Sequence, residues 1–183
     1  MESTRRFPIL KTKRLELRRP APEDAKALLE VTRDEAVMRY YGMPAFKSEA
    51  EALGEIEWFN KIFDRAEGIR WVIAERGAAG YIGDIGLHNL SAAHARAEIG
   101  FKLASAHQGQ GMMSEALGCV LAYGFGEMGL NRVEAVVDPA NGACLGLLEK
   151  AGFSREGLLR EYEHEEKGYV DLVMLSLLKR EQR

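Results

Sequence analysis

The stretch 98–117 constrains this chain most, because it changes from strand period to helix period across two glycines. Its first part alternates apolar with polar or small residues, with the apolar ones at Ile99, Phe101 and Leu103. From residue 113 the apolar residues recur at helical spacing, at 113, 116, 117, 120, 121, 124 and 125. Between the two patterns, Gly109 and Gly111 let the backbone bend sharply and a ligand approach closely. The pattern predicts a strand, a tight turn and a helix.

The start of this predicted helix is a candidate anion site. The first amides of a helix have no acceptor within it, and the helix dipole adds positive charge there, so a phosphate would fit. The amides concerned belong to Gly109, Gln110, Gly111, Met112, Met113 and Ser114, and Gln108 directly precedes them. The turn lacks the Lys-Ser/Thr of a P-loop and the third glycine of the dinucleotide fingerprint. By itself it is explained equally well as a tight bend.

Length and composition limit the class of protein. A chain of 183 residues can bury one substantial core, and we expect a single domain over 8–180. The formal net charge of −3 argues against a nucleic-acid partner. No apolar run approaches the ~18 residues of a membrane span. The polar N-terminus differs from a signal peptide, and Cys119 and Cys144 suggest no disulfide framework, so we expect a cytoplasmic protein.

Hydrophobic periodicity predicts the order β, α, α, β, β, β, α, β, α, β, β, and hence a mixed sheet in an α/β (α+β) domain. The predicted strands cover 10–19, 69–75, 81–90, 94–103, 132–138, 153–164 and 168–178. One predicted helix begins at Pro22, and three others cover 48–65, 112–127 and 142–151. Ser48 and Glu51 form a capping box for the second helix. The aromatic residues expected in the core are Trp58, Phe59, Phe63 and Trp71.

Several segments together carry a resemblance to a known family. They are Glu98-Ile99-Gly100-Phe101, His107-Gln108-Gly109-Gln110-Gly111, Ser114-Glu115-Ala116, Asn131-Arg132-Val133, Asn141, Glu149-Lys150-Ala151-Gly152-Phe153, Glu156-Gly157 and Arg160. The chain resembles the GNAT N-acetyltransferase superfamily from about residue 10 to 180. Within it, the likeness is to the Rim-type branch, which includes acetyltransferases of ribosomal-protein N-termini. The usual motif is Gln/Arg-x-x-Gly-x-Gly/Ala, and Met113 in its last position leaves the backbone amide in place.

The resemblance implies a fold and a cosubstrate. The GNAT fold has a mixed, mostly antiparallel seven-stranded sheet flanked by about four helices, splayed here between strands 97–103 and 132–138. Acetyl-CoA would enter this gap, and no metal is implied. The pantetheine arm would pair with the backbone of Phe101, Lys102 and Leu103, with the pyrophosphate on the amides of 109–114. Asn141 would hydrogen-bond the pantetheine from the other wall, although an asparagine there also suits a helix N-cap.

The resemblance also implies direct attack of a primary amine on the thioester carbonyl in a ternary complex, which requires a proton acceptor. Glu163 is the first candidate and Glu98 the rival. A different interpretation makes Glu163 part of a solvated acidic run, together with Glu161, Glu165 and Glu166. The tyrosine that often acts as the acid in the superfamily is replaced by Leu148, and the serine of the Rim-type branch by Cys144. Cysteine donates weakly, but it is also common inside helices.

The acceptor stays open at this level. A protein N-terminal α-amine is the leading candidate, because its pKa of about 7.7–8.0 makes it easier to deprotonate than a lysine near ~10.4. A small amine such as a polyamine, an amino acid or an aminoglycoside is the second candidate. The third is a CoA-binding sensor without catalysis. Homodimers are common in the branch, but one sequence defines no interface.

Overall fold

In the computed structural model, residues 6–165 and 168–182 are described, and they form a sheet with helices on both faces. The strands are β1 (Leu10–Lys11), β2 (Leu15–Arg18), β3 (Ile69–Glu75), β4 (Gly83–Ser91), β5 (Arg96–Leu103), β6 (Arg132–Val137), β7 (Ser154–Glu165) and β8 (Gly168–Leu178). The helices are α1 (Ala25–Arg33), α2 (Glu35–Met38), α3 (Glu49–Asp64), α4 (Met112–Gly126) and α5 (Gly142–Lys150). Of the predicted acidic run, Glu166 lies outside the described residues.

The sheet has the order β1-β2-β3-β4-β5-β6-β8-β7 and is antiparallel except between β5 and β6. These two central strands pair from Arg96 with Arg132 to Glu98 with Glu134, and their pairing stops there. Strand β5 continues along β4 to Leu103, and β6 continues along β8 to Val137. The predicted splay between these strands is therefore confirmed, and it leaves one edge of β5 open.

Two details of the sequence prediction are corrected. The segment 10–19 is two strands, because the Thr12 amide donates to the Leu15 carbonyl over 2.9 Å and the Leu15 amide donates to the Thr12 hydroxyl over 2.9 Å, which turns the chain back. The sheet therefore has eight strands where seven were expected. The described residues contain five α-helices where about four were expected. Asp34 ends α1 with an extended backbone, and its carboxylate accepts from the Ala36 amide to begin α2.

Helix α3 follows its sequence pattern closely. The Ser48 hydroxyl accepts from the Glu51 amide, whereas the Glu51 carboxylate accepts from Lys47, one residue before the expected partner. The buried face is the predicted one, with Ala52, Ile56, Phe59, Ile62 and Phe63. Trp58 was expected in the core but is 45% exposed. Adjacent helical residues point about 100° apart, so Trp58 and Phe59 cannot both face the sheet.

The two faces of the sheet carry different chemistry. On one face, Trp71 and Leu87 pack against α4, whose predicted apolar stripe is buried along its whole length. On the other face, Val72 packs against α1 and α3. Because strand side chains alternate between faces, the latter face also receives Arg70 and Asp84. Charged side chains are therefore buried beneath α3.

Candidate active site

The open edge of β5 offers main-chain groups to a ligand. The Ala104 amide donates to the Ile82 carbonyl, and the Lys102 carbonyl lies against Gly83. The main-chain N–H and C=O groups of the even-numbered residues therefore point toward β4. Odd-numbered residues consequently turn their N–H and C=O groups toward the gap. Of the three predicted backbone contacts, Phe101 and Leu103 face the gap and Lys102 does not.

The side chain of Gln108 joins the glycine turn to the end of this strand. Its Nε2 donates to the Leu103 carbonyl over 2.8 Å. Gln110 likewise donates to the Ala106 carbonyl over 2.8 Å. Both amides therefore stabilise the turn itself, and the Leu103 carbonyl is already engaged at the end of the open edge.

The turn has the geometry of an anion site. Gly109 and Gly111 have φ values of +73° and +74°, in the left-handed region that favours glycine. The first helical hydrogen bond of α4 runs from the Glu115 amide to the Gly111 carbonyl. The amides of Met112, Met113 and Ser114 precede it and have no acceptor within the helix. Met112 and Met113 are buried, so their side chains anchor the start of the helix.

A clamp that sequence reasoning missed holds this turn against β1 and β2. Glu115 accepts from the Thr12 hydroxyl over 2.5 Å, from the Arg14 amide over 2.8 Å and from Arg14 Nε over 2.7 Å. Arg14 Nη1 also donates to the Gln110 carbonyl over 2.8 Å. The Thr12 hydrogen bond, together with those from Arg14, outweighs slight burial and lowers the pKa of Glu115 to about 2. The carboxylate is ionised at neutral pH.

Asn141 and Cys144 lie at the start of α5, which follows β6 on the other wall of the gap. Asn141 Oδ1 accepts from the Cys144 amide over 3.1 Å, so Asn141 is a helix N-cap and its side-chain NH₂ stays outside the helix. Burial raises the pKa of Cys144 to about 11. Cys144 is therefore a neutral thiol that retains its proton.

Glu98 lies on the face of β5 that carries Lys102. Its Oε1 lies 3.2 Å from His88 Nε2, and its Oε2 accepts from Asn89 Nδ2 over 3.1 Å. Burial would raise the pKa of Glu98, but the interactions with His88 and Asn89 outweigh it and lower the pKa. Both carboxylate oxygens are engaged.

Glu163, the other candidate proton acceptor, lies on β7. A bulge at Glu161, with a φ of +51°, shifts the register of β7 and β8 just before Glu163. A Cβ added at Gly42 would lie 3.6 Å from Glu163 Oε2 and 3.6 Å from Glu165 Oε1. Burial, followed by the charges of Glu98 and Glu165, raises the pKa of Glu163. The structure thus brings the two rival carboxylates close enough to interact.

A buried charge cluster lies beside these carboxylates, and sequence reasoning missed it. Asp84 is fully buried and accepts from Arg70 Nε over 2.7 Å, and Lys102 Nζ lies 2.7 Å from its other oxygen. Tyr81 also donates to Asp84. Burial would raise the pKa of Asp84, but the two cations outweigh it and lower the pKa. Charged residues at strand positions flanked by apolar ones were the available signal.

The space over Gly100 separates this cluster from Glu98. A Cβ added at Gly100 would lie 3.2 Å from His88 Cε1 and 3.3 Å from Arg70 Nη1. Gly100 is half-exposed, so solvent reaches this space. We name the space bordered by Arg70, His88 and Glu98 the acceptor groove. Glu163 is near enough to Glu98 for their charges to interact.

Two further features are absent from residues 6–165 and 168–182. No helix there has the length and apolar content needed to cross a membrane. In the same part of the chain, no three or more His, Cys, Asp or Glu side chains are grouped so that they could hold a metal ion.

Known proteins resemble this chain over most of its length. A family model described as "Acetyltransferase (GNAT) domain" matches residues 14–154. The chain is 39% identical over 173 residues to the uncharacterized N-acetyltransferase YoaA of Bacillus subtilis (strain 168), covering 94% of this chain and 98% of that protein. It is 29% identical over 143 residues to the spermidine N(1)-acetyltransferase of Escherichia coli (strain K12), covering 76% of this chain and 73% of that protein.

Solved structures share the fold. A GNAT-family acetyltransferase from Bacillus anthracis superposes with a TM-score of 0.84 at 27% identity, covering 95% of this chain and 100% of that chain. RimL, a ribosomal L7/L12 alpha-N-protein acetyltransferase in complex with coenzyme A, superposes with a TM-score of 0.84 at 19% identity, covering 93% and 98%. At that identity the likeness shows the fold alone. The predicted GNAT fold, acyltransferase class and acetyl-CoA cosubstrate are confirmed. The chain belongs to the GNAT family of acetyltransferases.

Proposed function

We propose that this acetyltransferase acetylates a protein N-terminal α-amine by direct attack in a ternary complex, with Glu163 as the proton acceptor. The proposal rests on the placement of the Glu163 carboxylate, which lies beside Gly42 and has a pKa raised by burial and then by the charges of Glu98 and Glu165. Two carboxylates beside the open edge of β5 can attract an ammonium group and take its proton.

For the donor, we infer binding mainly by main-chain groups. The pantetheine arm pairs with Phe101 and Leu103 at the open edge, and the pyrophosphate binds the amides of 109–114. Asn141 contributes its side-chain NH₂ from the other wall, because its oxygen caps α5. Acetyl-CoA supplies an activated thioester, and the protein supplies proximity and orientation. The backbone of Lys102 points away from the pantetheine arm, and its buried side chain stabilises β5.

The pKa directions assign different roles to the two carboxylates. A general base is most effective when its pKa is near the working pH. The pKa of Glu163 is raised, whereas that of Glu98 is lowered and both of its oxygens are engaged. Glu163 is therefore the base, and Glu98 is the neighbouring charge that raises its pKa. Cys144 keeps its thiol proton and donates a hydrogen bond to the leaving sulfur.

A polyamine is the second candidate acceptor. The observation that favours it is the proximity of Glu98, Glu163 and Glu165, whose combined charge suits a polycation. The relatives include both kinds of enzyme by name, RimL and a spermidine N(1)-acetyltransferase. The lower pKa of an α-amine favours the N-terminal acceptor, because more of it is neutral at the working pH.

The test combines an acceptor panel with one variant. Release of free CoA is measured with N-terminal peptides and with spermidine, and mass spectrometry locates the acetyl group. We expect Glu163→Gln to lower turnover by about 100-fold or more, with unchanged thermal stabilisation by acetyl-CoA. Glu161→Gln, on the same strand, is the control and should keep its turnover. Wild-type turnover in Glu163→Gln would transfer the role of base to Glu98 or to water.

A further inference from the structure

The guanidinium of Arg70 is held rigidly beneath the acceptor groove. Arg70 is 5% exposed, and its Nε donates to Asp84 Oδ1 over 2.7 Å. Its Nη2 donates to the Tyr41 hydroxyl over 2.7 Å, and its Cζ lies 5.2 Å from the centroid of the Phe59 ring. Three neighbours from β4, the segment before α3 and α3 itself thus fix the plane of the group.

One nitrogen of this group is not used in the fold. Arg70 Nη1 lies 3.3 Å from the position of a Cβ at Gly100, on the side that solvent reaches. Among residues 6–165 and 168–182, no acceptor forms a hydrogen bond with Nη1. Gly100 and Gly86 make this placement possible, because a Cβ at Gly86 would lie 2.9 Å from the Arg70 Cα. A pre-oriented cationic donor therefore points into the groove.

The groove has two polarities within a short distance. On one side of Gly100, Glu98 lies 3.2 Å from His88 Nε2 and provides negative charge, which suits an ammonium group. The charge of Glu163 adds to it. Arg70 provides N–H groups on the other side, which suit an oxygen. Lys102 Nζ does not take that role, since it binds Asp84 and donates to the Tyr41 hydroxyl over 3.3 Å.

On the basis of the proposed function, we propose that Arg70 is a specificity-determining residue that reads the acceptor. Its Nη1 donates to the carbonyl oxygen on the carbon next to the amine-bearing carbon. The preferred acceptors are α-amino carbonyl compounds, which include peptide N-termini and amino-acid amides. A polyamine has no such oxygen and therefore lacks the hydrogen bond to this charged donor.

The experiment compares alaninamide with butan-2-amine, which has an ethyl group in place of the carboxamide. Initial rates of CoA release give kcat/KM for wild type and for Arg70→Lys, which keeps a cation beside Asp84 but removes the fork. An α-carbonyl also lowers the pKa of the amine. The readout is therefore the change in the alaninamide to butan-2-amine ratio between the two proteins, in which basicity cancels.

We expect Arg70→Lys to reduce that ratio by about 10- to 100-fold, the usual size of a hydrogen bond to a charged group. Arg18→Lys is the matched control, because Arg18 also forms a pair with an aspartate, Asp24, but outside the groove. Its ratio should equal that of wild type. Thermal stabilisation by acetyl-CoA verifies that each variant is folded.

Three outcomes would overturn the proposal. The first is an unchanged ratio in folded Arg70→Lys. The second is an equal loss for both amines, which would assign Arg70 to folding or to the thioester. The third outcome applies if Arg70→Lys does not fold. The pH-independent kcat/KM values of wild type for the two amines are then compared, and similar values would overturn the proposal. Acetylation of no amine at all would instead remove the proposed function, and this inference with it.

Discussion

The proposed donor side and the proposed acceptor side of the candidate active site are built in different ways. The donor side consists of main-chain groups from one continuous segment, 101–114, ending in an exposed glycine turn. The acceptor side consists of side chains from β3, β4, β5, β7 and the residues around Gly42. A main-chain site depends on local conformation, whereas a side-chain site depends on how distant strands are aligned.

The two sides also differ in how their charges are supported. On the donor side, the Glu115 clamp lies at the surface, where ion pairs stabilise little. On the acceptor side, Asp84 and its two cations are almost completely buried, where loss of one partner leaves a costly unpaired charge. The acceptor side should therefore determine stability, while the donor side determines cofactor affinity.

The largest effect is expected when the buried cluster is broken. Asp84→Asn leaves Arg70 and Lys102 buried without a counter-charge, and we expect a loss of about 3–5 kcal/mol in the free energy of unfolding. Urea denaturation measures it. Asp24→Asn is the control, because Asp24 pairs with one half-buried arginine. A loss no larger than that of the control would mean that the cluster is not the main support of the acceptor side.

On the donor side, Gly111→Val should weaken acetyl-CoA binding by about 100-fold or more. Valine is strained at the left-handed φ of +74° and places a branched side chain where the phosphate must approach. Isothermal titration calorimetry measures the affinity. Gly129→Val, at the other end of α4 with a φ of +68°, carries similar strain and should bind acetyl-CoA normally. Equal affinities in the two variants would contradict a glycine-dependent anion site.

A smaller effect is expected from Glu98→Gln, which removes a negative charge beside Glu163. Burial raises the pKa of Glu163 first, and the charge of Glu98 raises it further, so the substitution lowers that pKa. Since Glu163 accepts a proton only when ionised, the acid limb of kcat/KM should move to lower pH by roughly 0.5 unit. Glu57→Gln, on the exposed face of α3, should leave the limb unmoved. A shift to higher pH would exclude this coupling.

The smallest effect is expected from Glu115→Gln, which weakens the clamp at the turn. The folded pKa of about 2 is below the ordinary value of 4.5, so the charge of Glu115 stabilises the fold above pH 4.5. That contribution is lost as the pH falls from 4.5 to about 2. We expect a loss of roughly 0.5–1 kcal/mol at pH 7.

Urea denaturation across the pH range gives the measurement. The difference between wild type and Glu115→Gln should shrink as the pH falls toward 2 and disappear below it, where both side chains are neutral. Glu127→Gln, just after the other end of α4, is the control. A constant difference at every pH would assign the effect to shape and not to charge.

Strong local patterns predicted much of the fold. The apolar stripe of α4 and the inner face of α3 are buried as expected, and strand 69–75 has the predicted bounds. Weaker patterns failed where a single contact decided the outcome. The hydrogen bonds of Thr12 divide the strand predicted over 10–19, and the rotation of α3 exposes Trp58.

In the candidate site, too, local motifs were predictable and contacts between distant strands were not. The glycine turn, the open strand edge and Asn141 follow from motifs in the sequence. Lys102 was assigned to the gap because it lies between Phe101 and Leu103, but strand alternation turns its backbone toward β4. Charged residues within apolar strands were a signal for buried charge, but their meeting could not be foreseen, because Arg70, Asp84 and Lys102 are separated in sequence and meet only through strand register.

The sequence by itself determined the family and the alternation of strands and helices, and it predicts the position of the donor site. These depend on periodicity and on glycines, which act over a few neighbouring residues. Only the tertiary structure decided which residues surround the acceptor. Placing Glu163 beside Glu98, and Arg70 Nη1 over Gly100, requires the register of β3, β4 and β5 and the bulge in β7. A shift of one residue in any of these strands would move the side chains to the other face of the sheet.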